Sequence, residues 1–310
     1  MQLDIIDLES PLEQQIETMG RACETSGFFR IPLSSIPLPI ANNAWWMAAE
    51  FFALAPNEKQ HVAFPEPGYP YGYAAMQTEA LARSLGDEAA VPDLKESLSV
   101  GPDCGLHVDA RSLEEEWIRQ PSQWPRRPSG IQASWVAYYR ALSTVAEQLM
   151  SVMALTLELP ADHFAPMIDR PMTSMRAIRY PTVEEVPEGA LRAGAHADYG
   201  TLTILRTDGV SGLEIQSAGG DWLSVEPRPD TFVVNLGDSI AQWTNDRWRS
   251  TVHRVVNHGE PRQSFAFFHM ANWDATIECL PTCLGADETP VHEPVQAGPW
   301  LMQKFQSTVR

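Results

Sequence analysis

From Met172 onward the chain consists of short runs of β-branched and aromatic residues separated by turn residues, and this pattern restricts the fold more tightly than any other feature. Residues 174–180, 201–205, 212–216, 222–225, 231–236, 251–256 and 264–270 each read as a strand. Gly219-Gly220, Gly237-Asp238 and Gly259-Glu260 punctuate them. Short strands at regular spacing argue for a sandwich or jelly roll.

The part before residue 170 has a helical period. Ser10-Pro11-Leu12-Glu13 has the form of a capping box with proline at the first helical position, and Leu12, Ile16, Met19 and Cys23 then recur at helical spacing until Gly27. A short apolar strand is expected over 27–31. A second helix over 42–54, with Trp45, Phe51 and Phe52 turned inward, should end before Pro56. The segment 65–105 is rich in proline, glycine and tyrosine and reads as loops over the surface or over a site. A long helix over 131–159 keeps Trp135, Tyr138, Leu142, Val145, Leu149, Val152 and Met153 on one face and stops at Pro160. The expected class is an all-β core with helical additions (α+β). Residues 1–170 would form the helical region and 171–310 the jelly-roll core, together one compact unit.

A chain of 310 residues with 44% apolar composition can bury one sizeable core. Its formal net charge of −18 would repel phosphate backbones and anionic lipids, so a small-molecule substrate is expected in place of a nucleic acid or membrane. Met1 to Leu8 alternates acidic and apolar residues, unlike the basic start and apolar run of a signal peptide. No apolar stretch approaches the roughly 20 residues of a membrane span. Cys23, Cys104, Cys279 and Cys283 match no zinc or redox spacing, which points to a reduced, cytoplasmic protein. Oligomeric state is left open.

The chemistry lies inside the β region. His196-Ala197-Asp198 puts two side chains on one face of an extended segment, because strand side chains alternate with period two. His253, in the run 251–256, can supply a third ligand from a neighbouring strand. Two imidazoles and a carboxylate form a facial triad that leaves adjacent positions open, which favours non-haem Fe(II) over structural zinc. Arg262 and Ser264 also share a strand face, and together can hold the far carboxylate of a dicarboxylate whose other end chelates the metal.

These residues, in this order, resemble the isopenicillin N synthase-like group of Fe(II)- and 2-oxoglutarate-dependent dioxygenases, whose signature of H-x-D, a distant H and R-x-S matches His196, Asp198, His253, Arg262 and Ser264. Asn235-Leu236-Gly237-Asp238, Thr244-Asn245-Asp246 and 250–255 are similar to the segments between the two halves of that signature. Ser26-Gly27-Phe28-Phe29, Phe51-Phe52 with Glu58-Lys59, Tyr71-Gly72-Tyr73 and Asp93-Leu94-Lys95-Glu96 resemble landmarks of the family's N-terminal region. The resemblance implies a double-stranded β-helix of the cupin-like kind. It further implies Fe(II), 2-oxoglutarate as co-substrate, and O2, with release of succinate and CO2 as an unactivated C–H bond is oxidised by hydroxylation, desaturation or cyclisation. Carried over from the family, the Tyr180 hydroxyl would help to hold the co-substrate. Ile178 stands where an asparagine often contacts it, and Arg176, two residues away on the same strand face, is a candidate replacement.

For the primary substrate, Tyr71, Tyr73 and Lys95 in the loop-rich segment and Trp243, Phe232, Phe267 and Phe305 among the aromatics are candidate pocket residues, although strand aromatics are more often core. His61, His107, His163, His258, His269 and His292 gain no support from spacing and read as surface, turn or core residues. An amino acid or specialised-metabolite intermediate is the substrate the family's habits suggest. Three other readings compete: an iron oxidase of the same fold that does not use 2-oxoglutarate, a zinc hydrolase at the same triad, and a non-enzymatic binding module.

Overall fold

The computed structural model describes residues 1–86, 91–105, 109–182, 190–285 and 287–308. Its first helix, Leu12–Thr25, starts after Pro11, which lacks the N–H a helix could not use there. The capping box does not form, because the Ser10 hydroxyl donates to the Asp7 carbonyl at 2.7 Å and caps nothing. Gln15, Met19, Ala22 and Cys23 make the buried face, and Leu12 is half exposed. Gly27 ends this segment with φ of 67°, where a Cβ would stand 2.1 Å from the Arg249 carbonyl oxygen, so no other residue fits.

The second helix, Leu38–Phe52, begins four residues earlier than its apolar pattern implies, since Pro37 and Pro39 fit a first turn. Phe51 and Phe52 are buried, whereas Trp45 is only half-buried, beneath the Arg206 guanidinium at 4.7 Å. The long helix Ile131–Thr156 buries Trp135, Tyr138, Leu142, Val145 and Leu149.

Eleven strands build two antiparallel sheets: β1 (Phe28–Pro32), β2 (Tyr73–Ala74), β3 (Glu96–Val100), β4 (Ser174–Tyr180), β5 (Ala193–His196), β6 (Leu202–Thr207), β7 (Leu213–Gln216), β8 (Trp222–Ser224), β9 (Thr231–Leu236), β10 (His253–Val255) and β11 (Arg262–His269). The larger sheet has the order β1-β9-β6-β11-β4-β3-β2 and the smaller β5-β10-β7-β8. Facing each other they form the jelly roll, with the helical segment of the N-terminal part outside it. The strand expected over 27–31 forms as β1, and two further strands, β2 and β3, come from the segment read as loops. Of these, β3 is buried along its whole length because it pairs with β4. Two elements had no clear local signal: β5, and the helix Asp238–Trp243 that follows the Gly237-Asp238 turn.

Alternation along β11 divides the interior. Phe265 and Phe267 point to the long helix, with ring centroids 4.7 Å from Trp135 and 5.2 Å from Tyr139. Arg262, Ser264, Ala266 and Phe268 point the other way and line a cavity between the sheets. On β4 the same cavity receives Ser174, Arg176, Ile178 and Tyr180. Among the described residues, no helix is long and apolar enough to cross a membrane.

Candidate active site

His196 at the end of β5 lies directly opposite His253 of β10 in the antiparallel ladder, and their ring centroids are 4.3 Å apart. Asp198 follows two residues later, with its Oδ1 3.8 Å from His196 Nε2 and 4.0 Å from His253 Nε2. One ligand atom from each of the three lies within 4.8 Å of the others, and this is the metal-competent cluster among the described residues.

Each of the three groups has its other polar atom fixed from behind. His196 Nδ1 sits 2.7 Å from the Gly194 carbonyl and His253 Nδ1 3.1 Å from the Thr251 carbonyl. A carbonyl only accepts, so both Nδ1 atoms carry the proton and both Nε2 lone pairs face the shared point. Asp198 Oδ2 accepts from Thr203 Oγ1 at 2.5 Å and from Asn235 Nδ2 at 2.7 Å, which leaves Oδ1 free. The backbone is locked as well: Asp238 N–H donates to the Asp198 carbonyl and Gly237 N–H to the Thr201 carbonyl.

The electrostatics suit a cation. Burial, reinforced by the neighbouring His253, pushes the His196 imidazole down to about 3, so it is a neutral ligand at ordinary pH. Burial pushes the Asp198 carboxyl up, but the two imidazoles and the hydrogen bonds from Asn235 and Thr203 together outweigh it and hold the group ionised. Two neutral imidazoles and one carboxylate match the donor set of a facial Fe(II) site.

The cavity that holds these groups has a volume of about 680 Å³. On the wall of the same cavity Arg262 Nε and Nη1 and Ser264 Oγ are buried without a hydrogen-bond partner among the described residues. Leaving buried donors unmade costs about 1–3 kcal/mol each, more when charged, so their persistence points to an anion that satisfies them. Tyr180 faces Arg262 across the β4–β11 ladder, its ring 5.0 Å from the guanidinium carbon. Ile178 faces Ser264 in the β4–β11 register. The residues present therefore fit a metal-chelating dicarboxylate such as 2-oxoglutarate.

The remaining wall mixes aromatic surface with one polar corner. Tyr71, Tyr73, Lys95 and Phe305 line the cavity. The hydroxyl of Tyr71 donates to the Ile118 carbonyl and that of Tyr73 to Glu96, so both tyrosines offer ring surface and not a free hydroxyl. Trp243 and Phe267 do not reach the cavity, and neither does Phe232. Phe267 has the wrong strand parity and packs on Tyr139, while Trp243 rides the Asp238–Trp243 helix into the core, against Phe164. Phe232 is fully buried. Arg176 is half-committed: its Nε donates to Ser99 and its Nη1 to both oxygens of Glu79.

Glu79, Tyr199 and Trp117 carried no sequence signal, and Asp93 stood only within a family-like segment, with no role attached to it. Glu79 links Arg176 to Lys95, and Asp93 holds Lys95 at 2.9 Å, Leu81 N–H at 3.0 Å and Gly194 N–H at 2.8 Å. Because Gly194 also carries the carbonyl that orients His196, Asp93 ties the cavity wall to a metal-facing imidazole. Tyr199 and Trp117 complete the aromatic wall around Phe305, with ring centroids about 6 Å from it. Of the other histidines, His61, His163, His258, His269 and His292 stay off the cavity, and His107 lies outside the described residues.

A jelly roll whose cavity is lined by both a His-Asp-His cluster and a buried arginine defines a class of metal-dependent oxygenase, and comparison with known proteins gives the family. Residues 172–271 match the 2OG-Fe(II) oxygenase superfamily, and residues 3–127 match the N-terminal region described for a non-haem dioxygenase in morphine synthesis. The chain is 32% identical over 291 residues to the 2-oxoglutarate-Fe(II) type oxidoreductase hxnY of Emericella nidulans, covering 90% of this chain and 80% of that one. It is 29% identical to a homoarginine-6-hydroxylase of Arabidopsis thaliana, over 86% of this chain and 80% of the relative. The crystal structure of a full-length Neurospora crassa protein in complex with alpha-KG and thymine superposes with a TM-score of 0.84 at 27% identity, covering 99% of this chain and 97% of that one. The chain belongs to the isopenicillin N synthase-like family of 2-oxoglutarate oxygenases. It is an Fe(II)- and 2-oxoglutarate-dependent dioxygenase, an oxidoreductase that uses O2. The co-substrate bound in such relatives supports this activity and not the reading without 2-oxoglutarate.

Proposed function

We propose that His196, Asp198 and His253 hold the iron, that Arg262 and Ser264 bind the far carboxylate of 2-oxoglutarate with Tyr180 beside them, and that a small metabolite is oxidised in the space between Arg176, Lys95 and Phe305. The observation that carries this reading is the pairing, in one cavity, of three back-bonded ligand atoms with unpartnered buried donors on Arg262 and Ser264. Bound Fe(II) and 2-oxoglutarate supply the oxidation: O2 takes two electrons from decarboxylation of the 2-oxo acid to succinate and CO2, and two from the substrate C–H bond. The chain supplies geometry. Thr203 and Asn235 keep Asp198 in one rotamer, the Gly194 and Thr251 carbonyls keep both imidazoles in one tautomer, and the aromatic wall excludes water from the reacting atoms.

In the substrate corner Arg176 and Lys95 pair with Glu79 and Asp93, Arg83 also lines the cavity, and aromatic rings share the rest of the wall with aliphatic side chains. An amino acid or a polar specialised metabolite suits such a corner, in keeping with a relative whose name specifies homoarginine and a solved structure that holds thymine. Four cysteines with no disulfide among the described residues accord with a reducing compartment such as the cytoplasm. In keeping with one cooperative unit, residues 1–170 contribute three strands to the sheet whose core lies in 171–310.

The test is to incubate the iron-loaded protein with 2-oxoglutarate and a panel of such metabolites, reading succinate and oxygen uptake together. The expected result is substrate-stimulated succinate formation that Arg262→Gln reduces by raising the 2-oxoglutarate KM. If the Arg262→Gln variant keeps its 2-oxoglutarate dependence unchanged, the co-substrate end of the reading is wrong.

A further inference from the structure

A second arginine lies beside the co-substrate end of the cavity, and neither the signature nor the family match gives it a task. Arg192, just before β5, is only 1% exposed although it carries a full charge. Its backbone N–H pairs with the Val255 carbonyl, which fixes it next to the ladder that carries His253. The Nη2 atom donates to the Glu260 carbonyl, and Nη1 is buried with no hydrogen-bond partner among the described residues. Its guanidinium carbon is 5.9 Å from the Tyr180 ring, and that of Arg262 is 5.0 Å from the same ring.

Two guanidinium groups are thus buried around one tyrosine. Burial and the Arg262 charge both push the Arg192 pKa down, and Asp208 and Glu260 offset this only in part. Both Asp208 carboxylate oxygens already accept backbone N–H groups, from Val210 and Gln263. Two buried like charges beside one ring, with three nitrogens unpartnered among the described residues, are costly unless an anion near Arg262 offsets their charge.

We propose that Arg192 is a positioning residue for the co-substrate: it stands one layer behind the cavity wall, and its positive charge, together with its hold on Tyr180, strengthens selection of a 2-oxo acid that carries a second carboxylate. This rests on the reading that Arg262 and Ser264 bind that carboxylate. Arg192 is not itself on the cavity wall, so it acts through Tyr180 and through its field, which remains strong where the surroundings exclude water.

The experiment is calorimetric titration of the anaerobic Fe(II)-loaded protein with 2-oxoglutarate and with 2-oxovalerate, which has the same five carbons but ends in a methyl group. Arg192→Gln should weaken 2-oxoglutarate about tenfold and leave 2-oxovalerate unchanged, while Arg192→Lys, which keeps the charge, should retain most of the discrimination. Equal weakening of both ligands, or unchanged discrimination, overturns the proposal. If Arg192→Gln does not fold, Arg192→Met is titrated in its place and read by the same criterion. Arg262→Gln is the control for the underlying reading. Should it leave the discrimination intact, the carboxylate site is elsewhere and both ideas fall; should it abolish discrimination while Arg192→Gln does not alter it, only the role of Arg192 fails.

Discussion

At the scale of single residues, the cluster works because each metal-facing atom has a fixed neighbour. Thr203→Val preserves shape but removes the hydroxyl that Asp198 Oδ2 accepts from, and Asn235→Ala removes the other donor. Each change should weaken Fe(II) binding by about ten- to hundredfold with the fold retained, as outer partners of metal ligands commonly do. Anaerobic iron titration measures this, and wild-type affinity in both variants would show that Asp198 is oriented by something else. The H-x-D and R-x-S patterns exposed the candidate ligand-binding residues, whereas Thr203 carried no signal and Asn235 stood only within a family-like segment, with no role attached to it. Their role exists only because β6 and β9 run beside each other under Asp198.

Among elements, β11 gives the clearest division of labour. Phe267 is fully buried against Tyr139, and its neighbour Phe268 faces the cavity. Phe267→Ala should cost about 3–5 kcal/mol in urea unfolding, since it removes a core ring. Phe268→Ala should cost far less and instead alter the substrate KM. If the two variants exchange these phenotypes, the strand faces are assigned the wrong way round. The parity argument that paired Arg262 with Ser264 already excluded Phe267 from the same face, so this error of the sequence reading was avoidable. Trp243 was not, because the Asp238–Trp243 helix follows a glycine turn that looks like an ordinary strand break. The short helix Pro56–Gln60 and β3 meet through Lys59 Nζ, 2.6 Å from Glu96 Oε2, with both side chains buried. Glu96→Gln leaves that ammonium buried without its counter-charge and should lower stability by about 3–5 kcal/mol.

For the whole molecule, acid stability is set partly by histidines that the fold keeps neutral. Burial lowers His269 from 6.5 to about 4, and its Nδ1 is 2.6 Å from Thr201 Oγ1. Above pH 6.5 neither the folded nor the unfolded chain protonates this ring; between there and about pH 4 only the unfolded chain does. Stability from this group is therefore complete above pH 6.5 and is lost as pH falls toward 4, by an amount on the order of 3 kcal/mol. His269→Gln should flatten that part of the pH–stability curve in urea melts, and curves that stay parallel would remove His269 from the account. The order of residues along the chain was enough to determine the strand-rich class, the long helix and the candidate metal and carboxylate ligands, because period-two alternation and the H-x-D and R-x-S spacings are local properties, and the family resemblance of those motifs implied the iron and 2-oxoglutarate chemistry. Only the tertiary structure decided that His253 lies opposite His196, that β3 joins the main sheet, that Glu79 lines the cavity with Asp93 behind it, and that Arg192 sits beside Tyr180. The reason is that these meetings join segments far apart in the chain, and which side chains meet there depends on strand register and on how the two sheets face each other, neither of which is encoded in the local preference of any single segment.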